Sequence, residues 1–243
     1  MQRRVAFTVV LVGLTATLAA VSPDFTDRID RAQTLIYSER DEQVESALTQ
    51  AEISAQAQQG TARAYALSQV NLLRAAWHNQ NNRSREAVRA AQSGIGQIRT
   101  ALEVGEFSDG LRVLADLHGQ MMIARGLVYM IRNGSEARDA ALRAVELDAA
   151  NPRALISIAG FYLSAPPAAG GDVAAGVRAL RRALALEALG QNDRFVVLGM
   201  LARAAARQNN GADAEQFLAQ AEAIYPGTQF MDAIRREVAE AST

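Results

Sequence analysis

Apolar and small side chains recur every three or four residues along almost the whole chain after Pro23. That spacing collects them on one face of an α-helix, whereas a half-buried strand alternates apolar and polar residues. The sequence contains no sustained alternation of that kind bounded by turns. The pattern therefore predicts an all-α protein.

Short polar segments interrupt the helical pattern and divide it into pieces of helical-hairpin length. Several pieces begin with residues that cap helices, namely Ser108, Asn151 followed by Pro152, and Asp193. The predicted breaks lie at 38–42, 58–62, 79–84, 103–110, 132–136, 148–152, 164–172, 189–193, 208–213 and 225–228.

The segment SAPPAAGGD, at 164–172, is the most unusual interruption because it joins a proline pair to a glycine pair. The prolines end the preceding helix, Gly170 and Gly171 allow positive φ, and Asp172 is a good N-cap. No strand precedes the segment, and its spacing fits neither common phosphate-binding loop. We interpret it as an enlarged turn inside one hairpin.

A second regularity is a small residue, an apolar residue four positions later and a small residue three positions after that. Small residues on one helix face let two helices approach closely, and stacked helix pairs then share a continuous core. The copies are Val44, Leu48 and Ala51; Ala87, Ala91 and Gly94; Ala137, Ala141 and Ala144; Gly176, Leu180 and Ala183; and Ala214, Leu218 and Ala221.

This pattern resembles the second helix of the tetratricopeptide repeat (TPR), most completely at Ala214, Leu218, Ala221 and Pro226. Looser matches to the first helix occur at Leu198 and Gly199, and at Ile158, Ala159 and Tyr162. The resemblance implies a TPR-like α-solenoid of about five hairpins over residues 24–241. The last amphipathic segment, 230–241, would cap it.

In TPR proteins the first helix of each pair lines the concave surface, where ligands are held. The resulting stripe is mostly apolar with few charges, which suits an apolar peptide segment or a hydrophobic small molecule. Alternatively, the stripe belongs to the core and is covered by the N-terminal helices or the last helix. It comprises Leu73, Trp77, Ile123, Leu127, Met130, Arg153, Ile156, Leu163, Val196, Met200 and Arg203.

The composition contains few of the residues that catalysis or cofactor binding would require. The formal net charge of -1 is well mixed, which argues against nucleic acid, and without cysteine there is no disulfide or thiolate site. His78 and His118 lie in no metal-binding or catalytic spacing, so we predict no catalytic residue, no metal and no cofactor. An enzyme acting through His118 would require carboxylates that converge on it.

The N-terminus combines the basic MQRR with a long apolar run and then turns polar, as in a secretory signal peptide. We expect residues 1–20 to be this peptide, cleaved near Thr17, Ala19 or Ala20, or else a retained anchor. This predicts a periplasmic protein that meets the membrane only if the segment is uncleaved.

The order of segments after residue 151 is also similar to periplasmic TPR subunits associated with tripartite ATP-independent periplasmic (TRAP) transporters. That resemblance implies a homo-oligomer and a substrate-binding protein as partner, although the lipid-accepting cysteine of those subunits is missing. The sequence thus predicts an exported scaffold for a protein or peptide. The alternative is a carrier of a hydrophobic small molecule.

Overall fold

The computed structural model describes residues 21–241, which form eleven α-helices and one short 3-10 turn at Pro167–Ala169. The predicted all-α class is confirmed. In chain order, α1 to α11 are Pro23–Tyr37, Asp41–Gln56, Gly60–Gln80, Ser84–Leu102, Ser108–Arg125, Leu127–Leu147, Pro152–Ser164, Val173–Leu184, Gln191–Arg207, Gly211–Glu222 and Gln229–Ala241.

The helices pair into five hairpins, from α1/α2 to α9/α10, and each first helix also packs beside the first helix of the next hairpin. Helix α11 packs on α9 and α10 through the buried side chains of Met231, Ile234 and Val238. The described chain is therefore a TPR-like stack of five hairpins with a C-terminal capping helix, as predicted.

The repeated small and apolar positions form the contacts between helices, and all of them are buried. Gly176 shows why a small residue is required, because a Cβ there would lie 2.8 Å from Cγ of Leu163. Gly94 likewise faces Leu117 across the interface of α4 and α5, at 2.8 Å. Close approach of this kind excludes voids, as dense packing in protein interiors requires.

Segment 164–172 is an enlarged turn between α7 and α8, as predicted. Asp172 caps α8 by accepting a hydrogen bond from the backbone N–H of Ala175 at 2.9 Å. Gly170 has a φ of +90°, whereas Gly171 is required for another reason. A Cβ on Gly171 would lie 1.8 Å from the carbonyl oxygen of Ala165.

One predicted break is wrong. Helix α6 runs through 132–136 without interruption, and the chain turns at Gly126, whose φ of 69° and ψ of -156° suit glycine alone. Leu127 and Met130 therefore lie on the second helix of the third hairpin and not on its first. Asn133 supports the continuous helix, since its Nδ2 donates to the carbonyl of Tyr129 at 3.0 Å.

Two of the predicted caps are also wrong, because these side chains bond elsewhere. Ser108 is the first residue of α5, and its hydroxyl donates to the carbonyl of Ala144 at 2.8 Å. Asp193 lies inside α9, where its carboxylate binds Arg153. Asn151 is confirmed as a cap, since its Oδ1 accepts from the backbone of Arg153 at 3.0 Å.

The stack curves until its first helix meets α9, and we call this contact the α1–α9 seam. Nδ2 of Asn192 donates to Oγ1 of Thr34 at 3.1 Å, and the rings of Tyr37 and Phe195 lie 5.7 Å apart. The described chain is thus a curled stack whose two ends are in contact.

The predicted signal peptide, residues 1–20, lies outside the described residues. Between residues 21 and 241, none of the helices combines the length and the apolar character needed to cross a membrane.

Candidate functional site

Charged side chains occupy the inner face, where the first helices of the hairpins lie side by side. Nε of Arg153, on α7, lies 2.8 Å from Oδ2 of Asp193 on α9, and its Nη2 lies 3.5 Å from Oδ1 of Asp30 on α1. Burial acts to lower the pKa of Arg153, but these carboxylates outweigh it and raise the pKa. Arg153 therefore joins three hairpins across the seam.

A second charged group on this face connects α5 to α7. Nη1 of Arg112 lies 3.3 Å from Oδ2 of Asp116, whose other oxygen accepts a hydrogen bond from the hydroxyl of Ser157. Burial raises the pKa of Asp116, although Arg112 and Ser157 oppose the shift. Burial also raises the pKa of the neighbouring Tyr65 to about 12.

The expectation of a mostly apolar concave stripe with few charges is therefore wrong for this half of the inner face. Both arginines of the stripe are engaged by carboxylates of the same chain, because Arg203 forms a two-point contact with Glu237 at 3.0 and 2.7 Å. That contact holds α11 against α9. In the described structure these two arginines join helices of the same chain: Arg153 joins α7 to α9 and α1, and Arg203 joins α9 to α11.

Ile156, Val196 and Met200 form the apolar part of the inner face, and each is half-buried. They lie on α7 and α9, the same helices that carry the Arg153–Asp193 pair. Cε of Met200 lies 3.8 Å from the position of a Cβ on Gly160, so the two helices are in contact here. Leu163 points away from this group and packs against Gly176 of α8.

Trp77 and Leu73 lie in the core of the first two hairpins, away from α7 and α9. Trp77 is 5% exposed, and its Nε1 donates to Oδ1 of Asp41 at 2.6 Å. The guanidinium of Arg83 covers the ring at 5.1 Å. The structure thus does not bring these two residues together with the rest of the predicted stripe.

Ile123, Leu127 and Met130 lie at the end of the third hairpin, around Gly126. We call residues 121–134 the α5–α6 tip. Ile123 is 67% exposed and Leu127 63% exposed, and two further apolar residues nearby, Val128 and Ile131, are 63% and 74% exposed. This cluster is a surface separate from the inner face.

His118 is buried between α5 and α6. Its Nδ1 lies 2.9 Å from the hydroxyl of Tyr129, and its Nε2 lies 3.5 Å from Oε2 of Glu136. Burial lowers the pKa of His118, so the ring is neutral near pH 7. Glu136 is itself held by Arg99 at 2.6 Å, so the arrangement ties the two helices together.

Open recesses lie between α1 and α2 and at the α1–α9 seam, and most of the side chains that line them are polar or charged. The larger, about 520 Å³, lies between α1 and α2 and is lined mainly by charged and amide side chains, including Arg31 and Glu42. The smaller, about 230 Å³, lies at the seam beside Arg153, Asp193 and Tyr225. Within residues 21–241 no three His, Asp or Glu side chains are arranged to hold a metal ion.

Sequence reasoning missed the inner carboxylates Asp30, Asp116 and Asp193. Helical periodicity shows which residues share a face, but it does not show which residues of another hairpin they meet. A usable signal was present in α5, because Arg112 and Asp116 lie four residues apart in the otherwise apolar segment 110–117. An isolated charged pair among core positions indicates a buried ion pair.

Comparison with known proteins gives a fold-level likeness at most. No protein-family model matches the chain, and no curated protein matches it. Five solved chains do match, and one belongs to a study entitled "Functional Characterization of Pseudomonas Aeruginosa pilF". The match covers 88% of this chain and 99% of that one, with 11% identity and a TM-score of 0.36. So low a score carries no weight, and the assignment of the fold rests on the hairpins described above.

Proposed function

We propose that the protein is an exported, non-catalytic scaffold that receives a segment of another protein on the inner face of its fourth and fifth hairpins. One observation carries the proposal. Ile156, Val196 and Met200 form a half-buried apolar surface on the helices that border the 230 Å³ recess. Exposed apolar side chains beside a few fixed polar groups suit contact with a peptide segment of another protein.

The charges beside this surface are already paired. Because Arg153 and Arg203 are neutralised by carboxylates of the same chain, a bound segment needs no acidic side chains. An apolar segment with free backbone amides is the occupant that this chemistry favours. Export is the part of the proposal that comes from residues 1–20, and association with a TRAP-type transporter comes from the sequence resemblance alone.

The alternative is a carrier of a hydrophobic small molecule, which would need an apolar cavity, whereas most side chains that line the two recesses are polar or charged. Native mass spectrometry of the protein secreted by its own host separates the two functions. A carrier shows an adduct of low mass that is lost on activation, whereas a scaffold shows none.

Site-specific photo-crosslinking tests the proposal directly. A photoreactive phenylalanine analogue at Met200 should crosslink to a discrete protein in the producing host, and Val196→Glu should abolish that product. The matched control is the same analogue at Ile53, an apolar residue on α2 that is 56% exposed. Equal crosslinking from both positions, or none from Met200, would contradict the assignment of the inner face.

A further inference from the structure

The α5–α6 tip projects beyond the neighbouring hairpins. Nδ2 of Asn79, in the last turn of α3, donates to the backbone carbonyl of Gln120 at 3.0 Å, and α5 continues about 7 Å beyond Gln120. On the other side, Arg138 lies against Gly170 in the turn between α7 and α8, and about three helical turns of α6 precede Arg138 on the side of the tip. Helix α6 has 21 residues, whereas α8 and α10 have 12 each.

Four exposed apolar residues lie close together along the chain at the turn between α5 and α6. Leu127 and Val128 begin α6, Ile131 follows one helical turn later, and Ile123 lies in the last turn of α5. All four are at least 63% exposed. Tyr129 lies on the opposite side of α6 and is turned inward to His118.

The charged side chains of the tip itself are all positive. Between Asp116 and Glu136 the sequence contains no acidic residue, but it contains Arg125 and Arg132. Both arginines are exposed, and neither is paired with a carboxylate in the described part of the chain. Aliphatic side chains flanked by free arginines match the boundary between acyl chains and anionic headgroups.

We propose that the α5–α6 tip docks on the surface of an anionic phospholipid bilayer, with its four aliphatic side chains at the acyl boundary and Arg125 and Arg132 at the headgroups. A protein surface is the less favoured occupant, because the tip carries no carboxylate and its one side-chain amide, that of Asn133, donates to its own helix. This contact is independent of residues 1–20 and of the proposed function of the inner face.

The absence of cysteine allows a test on the full chain. Val128→Cys creates a unique site for an environment-sensitive nitrobenzoxadiazole label, so its signal reports the tip whatever residues 1–20 do. We expect the emission to shift to the blue on vesicles of phosphatidylcholine and phosphatidylglycerol, and lipid-attached quenchers to reduce it. Circular dichroism checks the fold, and Ile131→Cys replaces the variant if it does not fold.

The matched control is Val104→Cys, since Val104 is 68% exposed but lies beyond the opposite end of α5, about 27 Å away. Its emission should not change. The same shift at both positions, no shift at 128, or a shift at 128 that requires another protein would each overturn the proposal.

The arginines provide a second test. Arg125→Gln and Arg132→Gln should each weaken vesicle binding of the labelled tip by about fivefold at low salt, because each removes one contact with anionic lipid. Arg178→Gln, at a cation on α8, is the control and should change little. Equal binding to neutral phosphatidylcholine vesicles would overturn the role of the headgroups.

Discussion

At the scale of single residues, the backbone conformation and the space around each Cβ position decide which residues can occupy the turns of this protein. Gly170 needs positive φ, but Gly171 needs the absence of a side chain, since the carbonyl of Ala165 occupies the place of its Cβ. The two adjacent glycines therefore have different functions within one turn.

Gly171→Ala should destabilise the protein by roughly 1–3 kcal/mol, because the backbone must move to admit the methyl group. Urea denaturation measures the change. Gly96→Ala is the control, since nothing lies within 4 Å of a Cβ on this helical residue. That control should raise the free energy of unfolding by about 0.5–1 kcal/mol, as expected for helix propensity. Equal losses for both variants would contradict the argument.

The buried side chain of His118 should make the free energy of unfolding depend on pH. Burial lowers its pKa below the ordinary value of 6.5, so the unfolded chain binds the proton first as the pH falls. The free energy of unfolding should therefore decrease below about pH 6.5, by at most about 1.4 kcal/mol per pH unit for this one group.

Replacing His118 with Asn should reduce that decrease between pH 7.5 and 5.5, as measured by urea denaturation. His78→Asn is the comparison, because burial lowers the pKa of His78 as well but leaves that side chain more accessible. If the His118 variant keeps the full pH dependence of the wild type, another group is responsible.

At the scale of elements, helix α11 closes the last hairpin through a narrow apolar stripe. Ile234→Ala should cost roughly 2–4 kcal/mol, because Ile234 is 1% exposed and its removal leaves a cavity against α9. Hydrogen exchange should then show faster exchange in α11 than in α7. Arg236→Ala, at an exposed position of the same helix, should leave both rates unchanged.

The second helices were predictable from the sequence, whereas the end of α5 was not. The repeated small–apolar–small positions predicted the second helices correctly, since close helix contact depends on residue size. The end of α5 was not predictable in this way, because Asn133, Gly134 and Ser135 have stronger turn preferences than the lone Gly126. Within this segment, Glu136 pairs with Arg99 and lies near His118, and Asn133 bonds to the carbonyl of Tyr129, so the residues have partners as part of α6.

The candidate site was less predictable than the fold. Helical spacing places Val196 and Met200 on one face of α9, and both are half-buried there, as is Ile156 on α7. It could not predict that Arg153 meets Asp30, which is 123 residues away in the sequence. Curvature of the whole stack creates that contact, and no local pattern encodes it.

At the scale of the whole molecule, the α1–α9 seam couples the first hairpin to the last. Arg153→Gln should cost about 2–3 kcal/mol, because the carboxylate of Asp193 would remain with its side chain only 11% exposed. Urea denaturation measures the loss, and hydrogen exchange should accelerate in α1. The double variant Arg153→Gln with Asp193→Asn should lose less stability than the sum of the two single variants. If the two losses in the free energy of unfolding simply add, the two side chains are not paired.

The seam also limits how a chain of this kind can change length during evolution. Open solenoids gain and lose repeats readily, because each repeat contacts only its neighbours. Here, a hairpin duplicated between α2 and α9 would carry Thr34 away from Asn192 and separate Arg153 from Asp30. Repeat number is therefore fixed by geometry, and insertions are confined to turns such as 164–172, which grow outward without disturbing the register of the stack.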